Sequence, residues 1–175
     1  MLPCLYCESA AGDLPQAVVH QDRDVVALLD WRQDAPGHVL VLPRHHLSAE
    51  ELFAGPVGVA VMATTMRLAM AVRDALGIEG VQMGAILFPG GAGPTRSSGR
   101  VHHEGPAQVE TAEDGHFHLH ILPRQHGAAV ARIYPFGDEI ASPEVLEAIA
   151  QRIRACLPGA SPDGRAAVRA RPREA

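Results

Sequence analysis

Aromatic residues make up only 4% of this 175-residue chain, and all fifteen of its basic side chains are arginine, with no lysine. A core must therefore be built from the aliphatic residues that bring the hydrophobic fraction to 47%. No run approaches the ~18 apolar residues of a membrane span, and the N-terminus Met1-Leu2-Pro3-Cys4 lacks a signal-peptide layout. A soluble, cytoplasmic protein is expected. Cysteine is scarce and odd in number, at three, which excludes a disulfide framework. The net charge of −5 is modest and spread out, so neither a nucleic acid nor a membrane surface is expected as a partner.

What the chain does have is concentrated in Gly115-His116-Phe117-His118-Leu119-His120-Ile121-Leu122-Pro123-Arg124. On a strand, side chains at i, i+2 and i+4 share a face, so His116, His118 and His120 would stand in a row about 7 Å apart. Phe117, Leu119 and Ile121 would point the other way, into a core. Three adjacent imidazoles make a poor structural surface, because all could gain charge together on mild acidification. A row of bases, nucleophiles or metal ligands is the better reading.

The surrounding pattern is that of one domain over 1–158, followed by a mobile tail over 159–175 that is rich in Arg, Ala and Pro. Residues 4–12 read as a knuckle leading into a short helix or turn. Short aliphatic strands are expected at Val18–His20, Val25–Trp31 and Gly37–Pro43, the last two forming an antiparallel pair. Ser48 with Glu51 three residues on has the form of a capping box. Val57–Leu76 is the major helix, stopped by Gly77, with Val61, Thr64, Thr65, Leu68 and Val72 on its buried face. Its Met62, Met66 and Met70 stripe reads as core or dimer contact. Another strand is expected at Val81–Phe88. The breaker-rich stretch from Pro89 to Gly115 is too long for a plain connection and should hang beside the histidine row. Ser142 and Pro143 open a last helix that runs to about Leu157, with Cys156 buried in it as a small hydrophobe.

Cys4 and Cys7 form a Cys-x-x-Cys pair. A redox couple would want the pair at a helix start after a strand, which the extreme N-terminus does not provide. Zinc would need two further ligands, and histidine is plentiful. The histidine row itself supports either metal binding, with His102 and His103 as additional ligands, or phosphoryl chemistry. In the second case a neutral imidazole attacks phosphorus while its neighbours fix the tautomer and hold the phosphate.

The His-φ-His-φ-His-φ-φ pattern closed by Pro123-Arg124 resembles the motif of the histidine triad (HIT) family of nucleotide hydrolases and transferases. Cys4-Leu-Tyr-Cys7, Asp24-Val-Val-Ala-Leu-Leu-Asp30 and Pro36-Gly-His-Val-Leu-Val-Leu-Pro43-Arg-His-His46 are similar to the family's N-terminal half in order and spacing. The resemblance covers roughly residues 4–126. It implies an α+β fold with an antiparallel sheet of about five strands, one long helix and a C-terminal helix, in a homodimer.

It further implies a hydrolase acting on phosphoanhydride or P–N bonds of a nucleotide substrate. His118 would be the nucleophile, passing through a nucleotidyl-histidine, with His116 orienting it and His120 contacting the phosphate. Asp30 would hold the ribose hydroxyls, since a carboxylate accepts two donors at once. Tyr6, Leu28, Leu29 and Trp31 would lie near the base. Zinc-containing members imply a structural zinc on Cys4, Cys7, His46 and His116, His45 being the substitute for His46.

The chain departs from the family pattern at Ile86, where members carry Asn, and at Thr111–Gly115, which replaces a Gly-Gln segment. Arg96, Arg100, His102 or His103 are the expected replacements. A nucleotide-binding regulatory module with little catalysis and a metal enzyme with the triad as ligands are the alternatives.

Overall fold

The computed structural model describes residues 4–14, 16–31, 33, 35–85, 115–125, 127 and 140–158. The expected strand end at 86–88, the stretch 89–114 with its arginine and histidine candidates, His126 and the tail over 159–175 lie outside the described residues. The elements are α1 (Leu5–Ala11), β1 (Val18–Gln21), β2 (Val25–Leu29), β3 (Val39–Pro43), α2 (Ala49–Ala54), α3 (Pro56–Leu76), β4 (Gly80–Gly84), β5 (Leu119–Arg124) and α4 (Pro143–Ala155).

The strands form one five-stranded sheet in the order β1-β2-β3-β5-β4, with every neighbouring pair antiparallel. The fold is therefore α+β. The expected pairing of the two aliphatic runs is present, with Val25 opposite Pro43 and Leu29 opposite Val39. β5 enters between β3 and β4, placing Leu40 opposite His120 and Val39 opposite Ile121. That register decides which groups of β3 the triad can reach.

Strand alternation divides the core in two. Val25, Ala27, Leu29, Val39, Val41, Phe117, Leu119 and Ile121 face the helices, packing on Leu52, Val61, Leu68, Val72, Ile149 and Ile153. Each such fully buried aliphatic side chain contributes about 1.5–3 kcal/mol relative to exposure. Val26, Leu28, Leu40 and Leu42 face the other side, under Tyr6 and Ala10 of α1. The sheet is thus apolar on both faces at β2 and β3, but only the second face carries the histidines.

The helix termini follow from their sequences. Ser48 and Glu51 make the reciprocal capping box at α2, and Ser142 accepts from the Val145 amide at α4, where Pro143 takes the first position. Gly77 ends α3 at φ +64°, a conformation that favours glycine. The buried face of α3 contains Val61, Thr64, Thr65, Leu68 and Val72, as the spacing predicts.

One expectation is narrowed and another corrected. Met62, Met66 and Met70 are 42%, 62% and 50% exposed, so they are not core. They lie on the side of α3 turned away from the sheet. Cys156 is exposed too, because α4 ends at Ala155 and Cys156 caps it from outside the packed face. Among the described residues, no helix is long and apolar enough to cross a membrane.

Candidate active site and metal centre

The triad segment is held from both ends. Phe117 is buried against Phe53 in an edge-to-face pair 5.4 Å apart, and its amide donates to the Leu47 carbonyl at 2.8 Å. The β5 ladder begins two residues later. His116, His118 and His120 therefore share the face opposite Phe117, Leu119 and Ile121. His116 and His120 are buried, at 3% and 1% exposure, and His118 between them is half-buried.

Each ring has its proton position dictated by its partner. Nδ1 of His118 lies 3.2 Å from the His116 carbonyl oxygen, which can only accept. Nδ1 thus carries the hydrogen, and Nε2 of the neutral ring keeps a lone pair. The hydroxyl of Tyr6 stands 3.2 Å from that Nε2. His116 meets the His118 ring through its main-chain carbonyl.

The His116 ring faces elsewhere. Its Nε2 donates to the Pro43 carbonyl at 2.9 Å, which leaves Nδ1 as a lone pair 3.6 Å from Cys4 Sγ and 3.4 Å from Cys7 Sγ. Nδ1 of His46 is 3.4 Å from Cys7 Sγ. The four donor atoms of Cys4, Cys7, His46 and His116 lie within 4.8 Å of one another. Zn–S near 2.3 Å and Zn–N near 2.0 Å give a tetrahedron whose edges are about 3.3–3.8 Å, so the measured S–N separations fit a Cys₂His₂ zinc site. The Pro43 hydrogen bond is the outer contact that fixes a ligating imidazole. His45 is exposed and does not belong to the cluster. Burial holds His116 down to about 4, against the opposing pull of the Pro43 carbonyl.

On the other flank, Nδ1 of His120 is 2.9 Å from Nε2 of His38, and Nδ1 of His38 is 3.6 Å from a carboxylate oxygen of Asp30. The carboxylate favours a hydrogen on Nδ1 of His38. Nε2 of His38 then accepts from Nδ1–H of His120. His38 and Asp30 are 0% and 5% exposed, and the Asp30 amide donates to the His38 carbonyl at 2.9 Å. Burial, then the neighbouring His118 and His38, hold His120 down to about 2, so its ring is neutral. The His118 and His120 rings stand 4.9 Å apart, edge to face.

His38 is the site residue that sequence reasoning placed on a strand and did not connect to the site. The available signal was a single imidazole opening an otherwise aliphatic strand just after Gly37. That glycine has φ +96°, and a Cβ there would run into Leu76. The other expected residues divide. Tyr6 and Leu28 join the apolar cluster on the histidine face, and Trp31 is 40% exposed beside Asp30. Leu29 goes to the helix-side core, because alternation along β2 turns it away from the triad.

A family model described as HIT domain matches residues 11–127. The chain is 26% identical over 159 residues to the protein named hit of Bacillus subtilis, spanning 86% of this chain and 91% of that one. The fold is similar to that of a Zn-bound histidine triad family protein from Mycobacterium smegmatis (TM-score 0.58, 25% identity, 89% of this chain and 93% of the other). It is equally similar to a HIT-like protein of Bartonella henselae involved in cell-cycle regulation (TM-score 0.58, 26% identity, 86% and 93%).

Proposed function

The chain belongs to the HIT family, and on that premise we propose that it hydrolyses a nucleotide at a phosphoanhydride or phosphoramidate bond, through a nucleotidyl-histidine on His118. One observation carries the reading. The nitrogen of His118 that is not bonded to the His116 carbonyl keeps its lone pair, on the least buried ring of the three. A neutral imidazole in that state is a competent nucleophile toward phosphorus. As the N–P bond forms, the bond to the leaving group breaks and the leaving group takes its electron pair. The positive charge on the ring is shared through Nδ1–H with the His116 carbonyl. Water then attacks phosphorus and releases a proton to solvent, and the N–P pair returns to Nε2.

The substrate's sugar is assigned to Asp30 and its base to Tyr6, Leu28 and Trp31, with Leu29 backing that wall from the far side of the sheet. His120 faces the phosphate from beside His118. Cys4, Cys7, His46 and His116 would hold one structural zinc, supplying a cross-link between α1, the exit of β3 and the triad segment. The M. smegmatis relative being Zn-bound supports this. Of the triad only His116 turns toward that cluster, which favours the nucleophile reading over a metal enzyme with three triad ligands. The location that goes with this reading is the cytoplasm, where zinc-ligating thiols stay reduced. A second copy of the chain is the partner assigned to the exposed stripe of Val59, Met62, Met66 and Met70 on α3. Sedimentation at the mass of one chain would remove that assignment.

The test of the function is chemical trapping. With nucleotides labelled at the α-phosphorus, the protein should yield an acid-labile adduct that His118→Ala lacks, with activity down by roughly 10⁴-fold or more. The reading fails if no adduct forms with adenosine phosphoramidate, dinucleoside polyphosphates or nucleotide sugars and His118→Ala loses no activity.

A further inference from the structure

We propose that the hydroxyl of Tyr6 is catalytic: it donates to Nε2 of His118 and moves that hydrogen bond to a non-bridging phosphoryl oxygen as the N–P bond forms. The inference rests on the nucleotidyl-histidine reading and adds a group to it.

The geometry is specific to the oxygen. Tyr6 is 6% exposed, with its ring 4.3 Å from that of His118 and tilted by 31°, and 5.9 Å from that of His116, edge on. The ring completes the apolar cluster of Ala10, Val26, Leu28, Leu40 and Leu42, a task that a phenylalanine would perform equally well. What the tyrosine adds is a donor 3.2 Å from the reacting nitrogen. Its place is fixed because Cys4 and Cys7, which bracket it, both turn their sulfurs to His116.

The hydroxyl and the phosphorus approach the same nitrogen. A reacting atom must approach Nε2 to about 3–3.5 Å, the distance at which the Tyr6 oxygen now stands. On substrate entry the hydroxyl must give up the nitrogen, and the oxygens of the phosphoryl group that displaced it are acceptors within its reach. In the step itself the Nε2 pair forms the N–P bond, and the leaving group departs with the pair of the bond that breaks. Tyr6 keeps its proton throughout and changes only its acceptor. Negative charge grows on those oxygens as the transition state is reached, so the hydrogen bond strengthens there. Losing one such donor costs about 10²–10³ in kcat where nothing is given up in the ground state. Here a bond to Nε2 is given up, and about 10- to 100-fold is expected.

The experiment uses the full chain loaded with zinc and adenosine 5′-phosphoramidate as probe. Tyr6→Phe should form the His118 adduct about 10- to 100-fold more slowly in a single turnover, with KM changed by less than about twofold and zinc content unchanged. An adduct rate that is unchanged or faster overturns the proposal. The ¹⁵N resonance of His118 Nε2 gives a second readout in the substrate-free wild type, independent of the variant's folding. It should be that of a nitrogen accepting a hydrogen bond, and a bare lone-pair position overturns the proposal as well. Wild type that forms no adduct takes down the function and this inference together. Wild type that forms it, with Tyr6→Phe equally fast, takes down the inference alone.

Discussion

His116 and His120 stand two residues to either side of His118, on one face, and both are almost fully buried, yet they are put to opposite work. His116 turns Nδ1 toward two sulfurs and another imidazole, in a cluster tied to the N-terminal helix. His120 turns Nδ1 toward His38 and, through it, Asp30, in a chain of hydrogen-bonding groups inside the sheet. The first flank is built from parts far apart in sequence that an ion would draw together. The second is built from strand register alone. Between them His118 is left with its Nδ1 on a carbonyl and its Nε2 toward Tyr6. A row of three identical side chains is thus divided into one half-buried ring and two buried ones, through partners that lie outside the row.

The largest effect should come from breaking the first flank. Cys4→Ser combined with Cys7→Ser removes both sulfurs, and zinc should fall from about one per chain to none by elemental analysis. A ligand held at 1,000 times its dissociation constant stabilises by about 4 kcal/mol. At about 2–4 °C per kcal/mol for a domain of this size, the thermal midpoint should drop by roughly 10 °C. Adduct formation on His118 should fall with it, since α1 carries Tyr6. If the doubly substituted protein keeps both its midpoint and its adduct rate, the cluster is not a support and the comparison of flanks collapses.

The two flanks also differ in how far sequence alone reveals them. The alternation from His116 to Ile121 shows one face polar and the other apolar, and the capping box of α2 and the buried face of α3 are equally local signals. The Cys-x-x-Cys spacing marks half of the Cys/His cluster, and family resemblance marks the other half. His38 carries no comparable signal. Its role depends on Leu40 lying opposite His120, a register set between strands some eighty residues apart, as the 82-residue separation of the two rings records. Leu29 shows the converse. Its neighbourhood in sequence to Asp30 suggests the site, while its parity on β2 sends it to the helices. The methionine stripe fits either core or interface by composition, and only the placement of α3 on the sheet shows that it faces outward.

Acid should next expose the second flank. The pKa of His120 in the fold is held near 2, below its ordinary value of 6.5, chiefly by burial and then by His118 on its own strand and His38 on β3, with Asp30 behind His38. A depressed imidazole is neutral when folded, whereas the unfolded chain takes up a proton below pH 6.5. The stability it contributes is therefore complete above that pH and is lost as pH falls. At 1.36 kcal/mol per unit, His120 alone accounts for about 2 kcal/mol at pH 5. Urea unfolding at pH 7 and pH 5 should show that loss in wild type and a loss smaller by about that amount in His120→Leu. Equal acid loss in both would mean that the ring is not held neutral by the fold.

The finest test asks whether His38 and His120 act as a pair. Each is enclosed by the sheet, and their nitrogens are 2.9 Å apart. Substituting either by leucine removes one end of that bond and leaves the other ring in an apolar place, at about 1–3 kcal/mol. His38→Leu should be the more damaging, because it also takes a donor from beside the Asp30 carboxylate, which is only 5% exposed. Substituting both removes the bond with no partner left behind, so the double variant should be less destabilised than the sum of the singles by about 1 kcal/mol. Zinc should stay at about one per chain in all three proteins, because neither ring belongs to the Cys₂His₂ cluster. A double variant that is merely additive would show two independently packed histidines. Zinc lost along with His38 would mean that the two flanks are one structure, and that His118 is held by a single network and not by two.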